Sequence, residues 1–175
     1  MSGSYNAGAA DASSSTGSSY RGAAASDSST SLARVDRRFV TKASEMNNEE
    51  VRLSQLAAQQ ASDPQVRNYA QMLVDEHNQA GTELSAIASR KGVMETTRDD
   101  YDQRATTKLS KKSGNDFDKA YLEKMADAHE DVIDLFEKEA KSGKDAELQA
   151  FASKMLPKLR EHEEHAKSLE KSVKK

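Results

Sequence analysis

Cysteine and tryptophan are absent from this 175-residue chain, and proline occurs only twice. Without cysteine there is no disulfide and no thiol nucleophile, so stability must come from packing, polar contacts or a bound ligand. No apolar run approaches the ~18 residues that a membrane helix needs, so no spanning segment is expected. No export signal is recognisable in the sequence as written. Charge of one sign is not in excess either. The net charge is −3, which argues against a nucleic-acid binder that works through bulk electrostatics. What the chain does have is charge overall, 31% of residues, together with abundant Ala, Glu, Lys and Leu. With so little proline, that composition points to helix.

The composition changes near residue 30. Residues 1–30 hold ten Ser, seven Ala and four Gly but only three charged residues. Apart from Met1 they hold no Leu, Ile, Val, Phe or Met. Such a segment cannot bury enough apolar surface to offset the entropy of ordering it. Residues 1–30 therefore read as a disordered tail or tether and residues 31–175 as the folded domain. A Ser/Gly/Ala tether suits a position just after a cleaved export signal or a lipid anchor; a plain disordered tail suits the composition equally well.

From residue 31 onward, four stretches place apolar residues at alternating spacings of three and four. Helix one is expected from Leu32 to about Ala61. Helix two opens with Ser62-Asp63-Pro64, a capping residue followed by proline at the first helical position, and runs to Lys91 before Gly92. Helix three spans about Asp116 to Lys141 and stops at Ser142-Gly143, and helix four spans about Asp145 to Lys171. Short turns near 62 and 143 make two antiparallel hairpins. The longer 92–115 connection predicts a short extra helix over Asp99–Lys112, with Leu109 as its packing residue. The fold class is all-α, a four-helix bundle with one extra short helix. Pro157, inside helix four, removes one backbone hydrogen bond and is expected to kink or loosen it.

Each helix stripe is apolar except at one position. Helix one offers Phe39, Ala43, Met46, Glu50, Leu53 and Ala57. Helix two offers Val66, Ala70, Leu73, His77, Ala80, Leu84 and Ile87. Helix three gives Leu122, Met125, His129, Val132 and Phe136, and helix four gives Leu148, Phe151, Met155, Leu159, His162, Ala166 and Leu169. The exceptions are Glu50, His77, His129 and His162. Buried charges and imidazoles are costly unless paired or bound to metal. Counted from the turns at ~1.5 Å per residue, Glu50 and His77 lie within about one helical turn of each other in height. His162 stands ~7 Å off the level of His129, so it is the strained member of the set.

Two readings follow from these four residues. One glutamate and three neutral imidazoles make a first shell for a single divalent transition metal, zinc first, with copper or iron as alternatives. Such a site should weaken below about pH 6, where free imidazole protonates. Alternatively, a metal-free Glu/His layer specifies the bundle's register and the protein is structural. A dinuclear iron oxidase is disfavoured, because such sites take Glu-x-x-His from two helices. The residues three before the histidines are Val74, Ala126 and Leu159. His162 and His165 also form a pair three apart that can hold a metal at the surface, although a solvated face is the plainer reading. No phosphate loop, catalytic triad or basic aromatic face is present, so the sequence points away from an enzyme and from nucleic acid, and it names no protein partner.

The stretches Glu50-Val-Arg-Leu-Ser-Gln-Leu-Ala, Val66 through Glu76-His77, Phe117-Asp118-Lys-Ala-Tyr121-Leu, His129 and Leu156-Pro157-Lys-Leu-Arg-Glu-His162 together resemble the bacterial "domain of unknown function 4142" family over roughly residues 33–170. The resemblance implies a ferritin-like bundle and a periplasmic, secreted or outer-membrane-associated location. It aligns the family's histidines with His77, His129 and His162, and its helix-one glutamate with Glu50. Glu76 stands where the family usually has aspartate. Because the family has no settled activity, the resemblance implies fold and place rather than a reaction.

Overall fold

The computed structural model describes residues 32–93 and 99–173, with side chains in the second stretch from residue 103. The expectation for the 1–30 tail lies outside the described residues. Five helices follow in order: α1 (Arg34–Gln60), α2 (Pro64–Arg90), α3 (Asp99–Ser110), α4 (Gly114–Ser142) and α5 (Ala146–Ser172), with no strand among the described residues. The four long helices are the expected stripes and α3 is the expected short helix. No described helix is long and apolar enough to cross a membrane.

Local chemistry sets the ends. Asp63 caps α2 by accepting the Gln65 N–H, and Pro64 supplies the first helical position. Asp145 caps α5 by accepting from the N–H groups of Glu147 and Leu148. Gly92, at φ +67°, ends α2 in the left-handed conformation that glycine adopts at little cost. α5 runs through Pro157 without interruption. Pro157 and Ser153, the residue whose carbonyl loses its helical donor, both lie on the exposed side, where water can take that carbonyl.

The two hairpins pack as a square. α1 lies against α2 and α4, and α5 lies against α4 and α2. α2 and α4 therefore sit on a diagonal and run in the same direction. The connection that carries α3 returns the chain along the bundle, a distance of roughly 40 Å for a 27-residue helix. α3 packs Leu109 into the core. Gln60, at the end of α1, donates to the Lys112 carbonyl at 2.6 Å.

Each hairpin's turn is held by an aspartate from the other hairpin. Asp118 of α4 is fully buried and accepts the N–H groups of Ser62 (2.9 Å) and Asp63 (2.8 Å) and the Ser62 hydroxyl (2.5 Å). Asp36 of α1 is buried and accepts the Lys144 N–H at 2.7 Å. These two carboxylates are in effect long-range turn caps, and the periodicity did not single them out. Asp118→Ala leaves two turn N–H groups without their acceptor. It is expected to cost about 2–3 kcal/mol in urea unfolding; a loss below ~0.5 kcal/mol would mean that the turn holds itself.

The apolar core comes in two parts. Toward the 62 turn, Leu53, Leu73, Leu122, Met125 and Ala166 pack with Tyr69, Phe117 and Tyr121. Toward the 143 turn, Phe39, Leu84, Val132, Phe136, Phe151 and Leu159 pack together. Phe39 and Phe136 meet edge to face at 5.0 Å. On every long helix the break between the two parts falls at the polar exception of the stripe.

Candidate metal centre

Glu50 on α1, His77 on α2, His129 on α4 and His162 on α5 are all buried, at 1%, 5%, 0% and 4% exposure. The bundle brings all four together. Glu50 Oε2 lies 3.3 Å from His77 Nε2 and 3.5 Å from His129 Nε2. His129 Nε2 lies 3.3 Å from His162 Nδ1. Among the described residues, one ligand nitrogen from each of the three imidazoles falls within 4.8 Å of the others.

His162 is therefore not the outlier that counting along the helix axes suggested. The correction comes from side-chain direction. Every helical Cα–Cβ bond leans toward its own N-terminus. In an antiparallel pair, His129 leans away from the 143 turn and His162 leans toward it. Both leans close the ~7 Å gap in axial height. The same rule lets Glu50, 12 residues before the turn at 62, meet His77, 15 residues after it. The His162–His165 surface pair is not formed. His162 points inward, and His165 is exposed with its ring 4.9 Å from Tyr69, edge to face.

The outer nitrogen of every imidazole is tied down. His129 Nδ1–H donates to the Met125 carbonyl at 2.9 Å, one turn back on α4. His77 Nδ1–H donates to Asn47 Oδ1 at 3.2 Å. His162 Nε2–H donates to Glu76 Oε2 at 2.6 Å, and Lys158 grips the other Glu76 oxygen at 2.9 Å. These partners fix the tautomers, so all three inner nitrogens carry lone pairs. Tyr69 anchors the backbone at the same level by donating to the His162 carbonyl at 2.9 Å.

Two of these supports, and the glycine that makes room for one of them, were missed by the periodicity. Glu76 precedes His77 and so lies about 100° off the stripe. Asn47 flanks the α1 stripe. Gly81, the one glycine in the middle of a long helix, is explained by Asn47: a Cβ at position 81 would fall 2.7 Å from Asn47 Nδ2. A glycine in mid-helix without a turn was the available signal.

The electrostatics describe a site under tension. Neither Glu50 oxygen has a hydrogen-bond partner, and neither does His77 Nε2. Burial, with help from the Glu49 charge and against Lys124, pushes the Glu50 carboxyl up to about 8. Burial pulls His77 down to about 3 and His129 to about 4, and it also holds His162 low against the pull of Glu76. Burial raises Glu76, but hydrogen bonds from Lys158 and His162 outweigh it and keep this carboxylate ionised. The imidazoles are thus neutral, inward-facing donors. They fit a metal by spacing as well as by chemistry. Four ligands at 2.0–2.1 Å around a tetrahedral zinc sit about 3.3–3.4 Å apart; three of the donor pairs here stand at 3.3, 3.3 and 3.5 Å, and the three imidazole donors lie within 4.8 Å of one another. Outer partners such as Asn47 and Glu76 are the kind that orient metal-bound histidines.

No curated protein matches this chain. A solved structure with the same fold is the crystal structure of a DUF305 fragment from Deinococcus radiodurans. It is 12% identical, with a TM-score of 0.72, and the match covers 81% of this chain and 99% of the fragment. The helical ferritin-like type of fold is thereby shown, on a likeness of shape alone. The family described as domain of unknown function (DUF4142) matches residues 21–169, about a dozen residues further toward the N-terminus than the resemblance over roughly 33–170. Over most of its length, then, the chain belongs to the DUF4142 family.

Proposed function

We propose that this protein binds one divalent transition metal, zinc first, through Glu50, His77, His129 and His162, and that it stores, buffers or senses the ion. One observation carries the proposal: three outward-tied imidazoles turn their lone pairs inward within 4.8 Å of one another, and two of them, on His77 and His129, stand 3.3 and 3.5 Å from a buried carboxylate that has no hydrogen-bond partner. His129 Nε2 and His162 Nδ1, 3.3 Å apart, have no proton between them in this arrangement. A cation relieves that contact and the orphaned carboxylate together. A location outside the cytoplasm belongs to the same proposal and rests on the family resemblance. The role of residues 1–30 as a tether to the domain at 31–175 belongs to it too, and rests on their Ser/Ala/Gly composition.

Tag-free full-length protein, loaded with Zn²⁺ and desalted, is expected to retain one metal per chain by elemental analysis. Gly81→Ala keeps the helix and displaces Asn47, so affinity should fall by roughly tenfold or more, the usual cost of losing an outer-shell partner. No retained metal after trials with Zn, Cu, Ni, Co and Fe would leave a polar layer that only specifies the bundle.

A further inference from the structure

A cavity of about 30 Å³ opens against the centre. Glu50, His77 and His162 line it, and His129 does not. Val132 and Phe136 of α4 line it too, together with residues of α1, α2 and α5 on the same side, so the free space lies at the end of the cluster that faces the 143 turn. Its remaining wall is largely apolar, including Ala80 and Met155, while Lys158 stands toward the surface, bound to Glu76. One water needs roughly 10–15 Å³ of such space. The cavity takes a ligand of one to three atoms.

Charge selects the class of that ligand. A divalent cation, one carboxylate and three neutral imidazoles sum to +1 in a buried site. An uncompensated buried charge is expensive, and a monoanion removes it. Glu76 and Lys158, which also line the cavity, pair with each other and leave that sum unchanged. Resting on the metal-binding reading above, we propose that the centre keeps an exchangeable coordination position facing this cavity, which takes water or a small monoanion. A purely structural zinc site is closed, whereas one that keeps a position open can expand its coordination during chemistry. The inference thus separates a metal clamp from a reactive metal.

The test uses full-length protein loaded with Co²⁺ and titrated with sodium azide. Visible Co²⁺ absorption reports metal occupancy and metal geometry in one measurement. Azide should shift the bands saturably. Ala80→Leu, which fills the cavity from α2, should retain Co²⁺ and weaken azide at least about tenfold, equivalent to ~1.4 kcal/mol. Co²⁺ bands that ignore azide would overturn the open position while the metal site stands. Azide binding equally well to Ala80→Leu would overturn the assignment of the cavity. Absence of Co²⁺ bands would remove both readings.

Discussion

Zn²⁺ at about 1,000 times its dissociation constant is expected to raise the melting temperature by roughly 8–16 °C. The ligand then adds ~4 kcal/mol to the folded state, and for a chain of this size each kcal/mol moves the midpoint by about 2–4 °C. The rise follows from geometry: donors from four different helices meet at one point, and that point does not exist in the unfolded chain. His77→Ala and His129→Ala should each abolish the shift. His162→Ala should do the same, because the structure places its Nδ1 3.3 Å from His129 Nε2. His165→Ala should leave the shift nearly intact, since that ring sits outside the cluster against Tyr69. Differential scanning calorimetry with and without chelator reads all four. A His77→Leu chain more stable than wild type at every metal concentration would turn the site into a packing layer.

Glu50→Gln is expected to abolish metal binding and at the same time to stabilise the metal-free fold. In the metal-free protein the Glu50 carboxyl is raised to about 8 from an ordinary 4.5. A raised acid contributes stability that is complete below about pH 4.5 and is lost as pH climbs through 8. The loss is on the order of 4 kcal/mol. The amide that replaces the carboxylate carries no charge to desolvate, so the variant should be the more stable chain at pH 8. A shallower alkaline slope remains, because burial and a hydrogen bond with Asp36 push Glu139 up to about 7. On the acid side the sign reverses. His77 and His129 are depressed to about 3 and 4, so their contribution is complete above about 6.5 and disappears as pH falls through 4 toward 3, in wild type and variant alike. Urea unfolding from pH 3 to 9 in chelator measures both limbs. A Glu50→Gln chain less stable than wild type at pH 8 would show that the carboxylate is already paired.

The same shifts move the pH dependence of metal affinity. From free imidazole, binding was expected to weaken below pH 6. In the folded site burial keeps the imidazoles neutral well below that, and the competing proton is the one on Glu50. Affinity should therefore rise about tenfold per pH unit up to roughly pH 8, with about one proton released per metal bound.

The sequence by itself determined the helices. Spacing of three and four, Asp63-Pro64 at one start and Asp145 at another are local signals, and local signals act through backbone hydrogen bonds within a few residues. It also determined which residues break the core, because a polar side chain in an apolar stripe is visible wherever its partners lie. Phe39 and Leu84 could be swapped for other apolar residues without erasing the pattern; Glu50 and His129 could not. Only the tertiary structure decided what these residues meet. The side-chain supports of the site come from off-stripe positions, Glu76 about 100° around α2 and Asn47 on the flank of α1, and another is a backbone group, the Met125 carbonyl on α4. The Asp118 and Asp36 turn clasps join segments 55 and 108 residues apart. No periodicity encodes such pairings. Axial counting misplaced His162 because it treats a helix as a rod with side chains at right angles, whereas Cβ atoms lean toward the N-terminus and two antiparallel leans add.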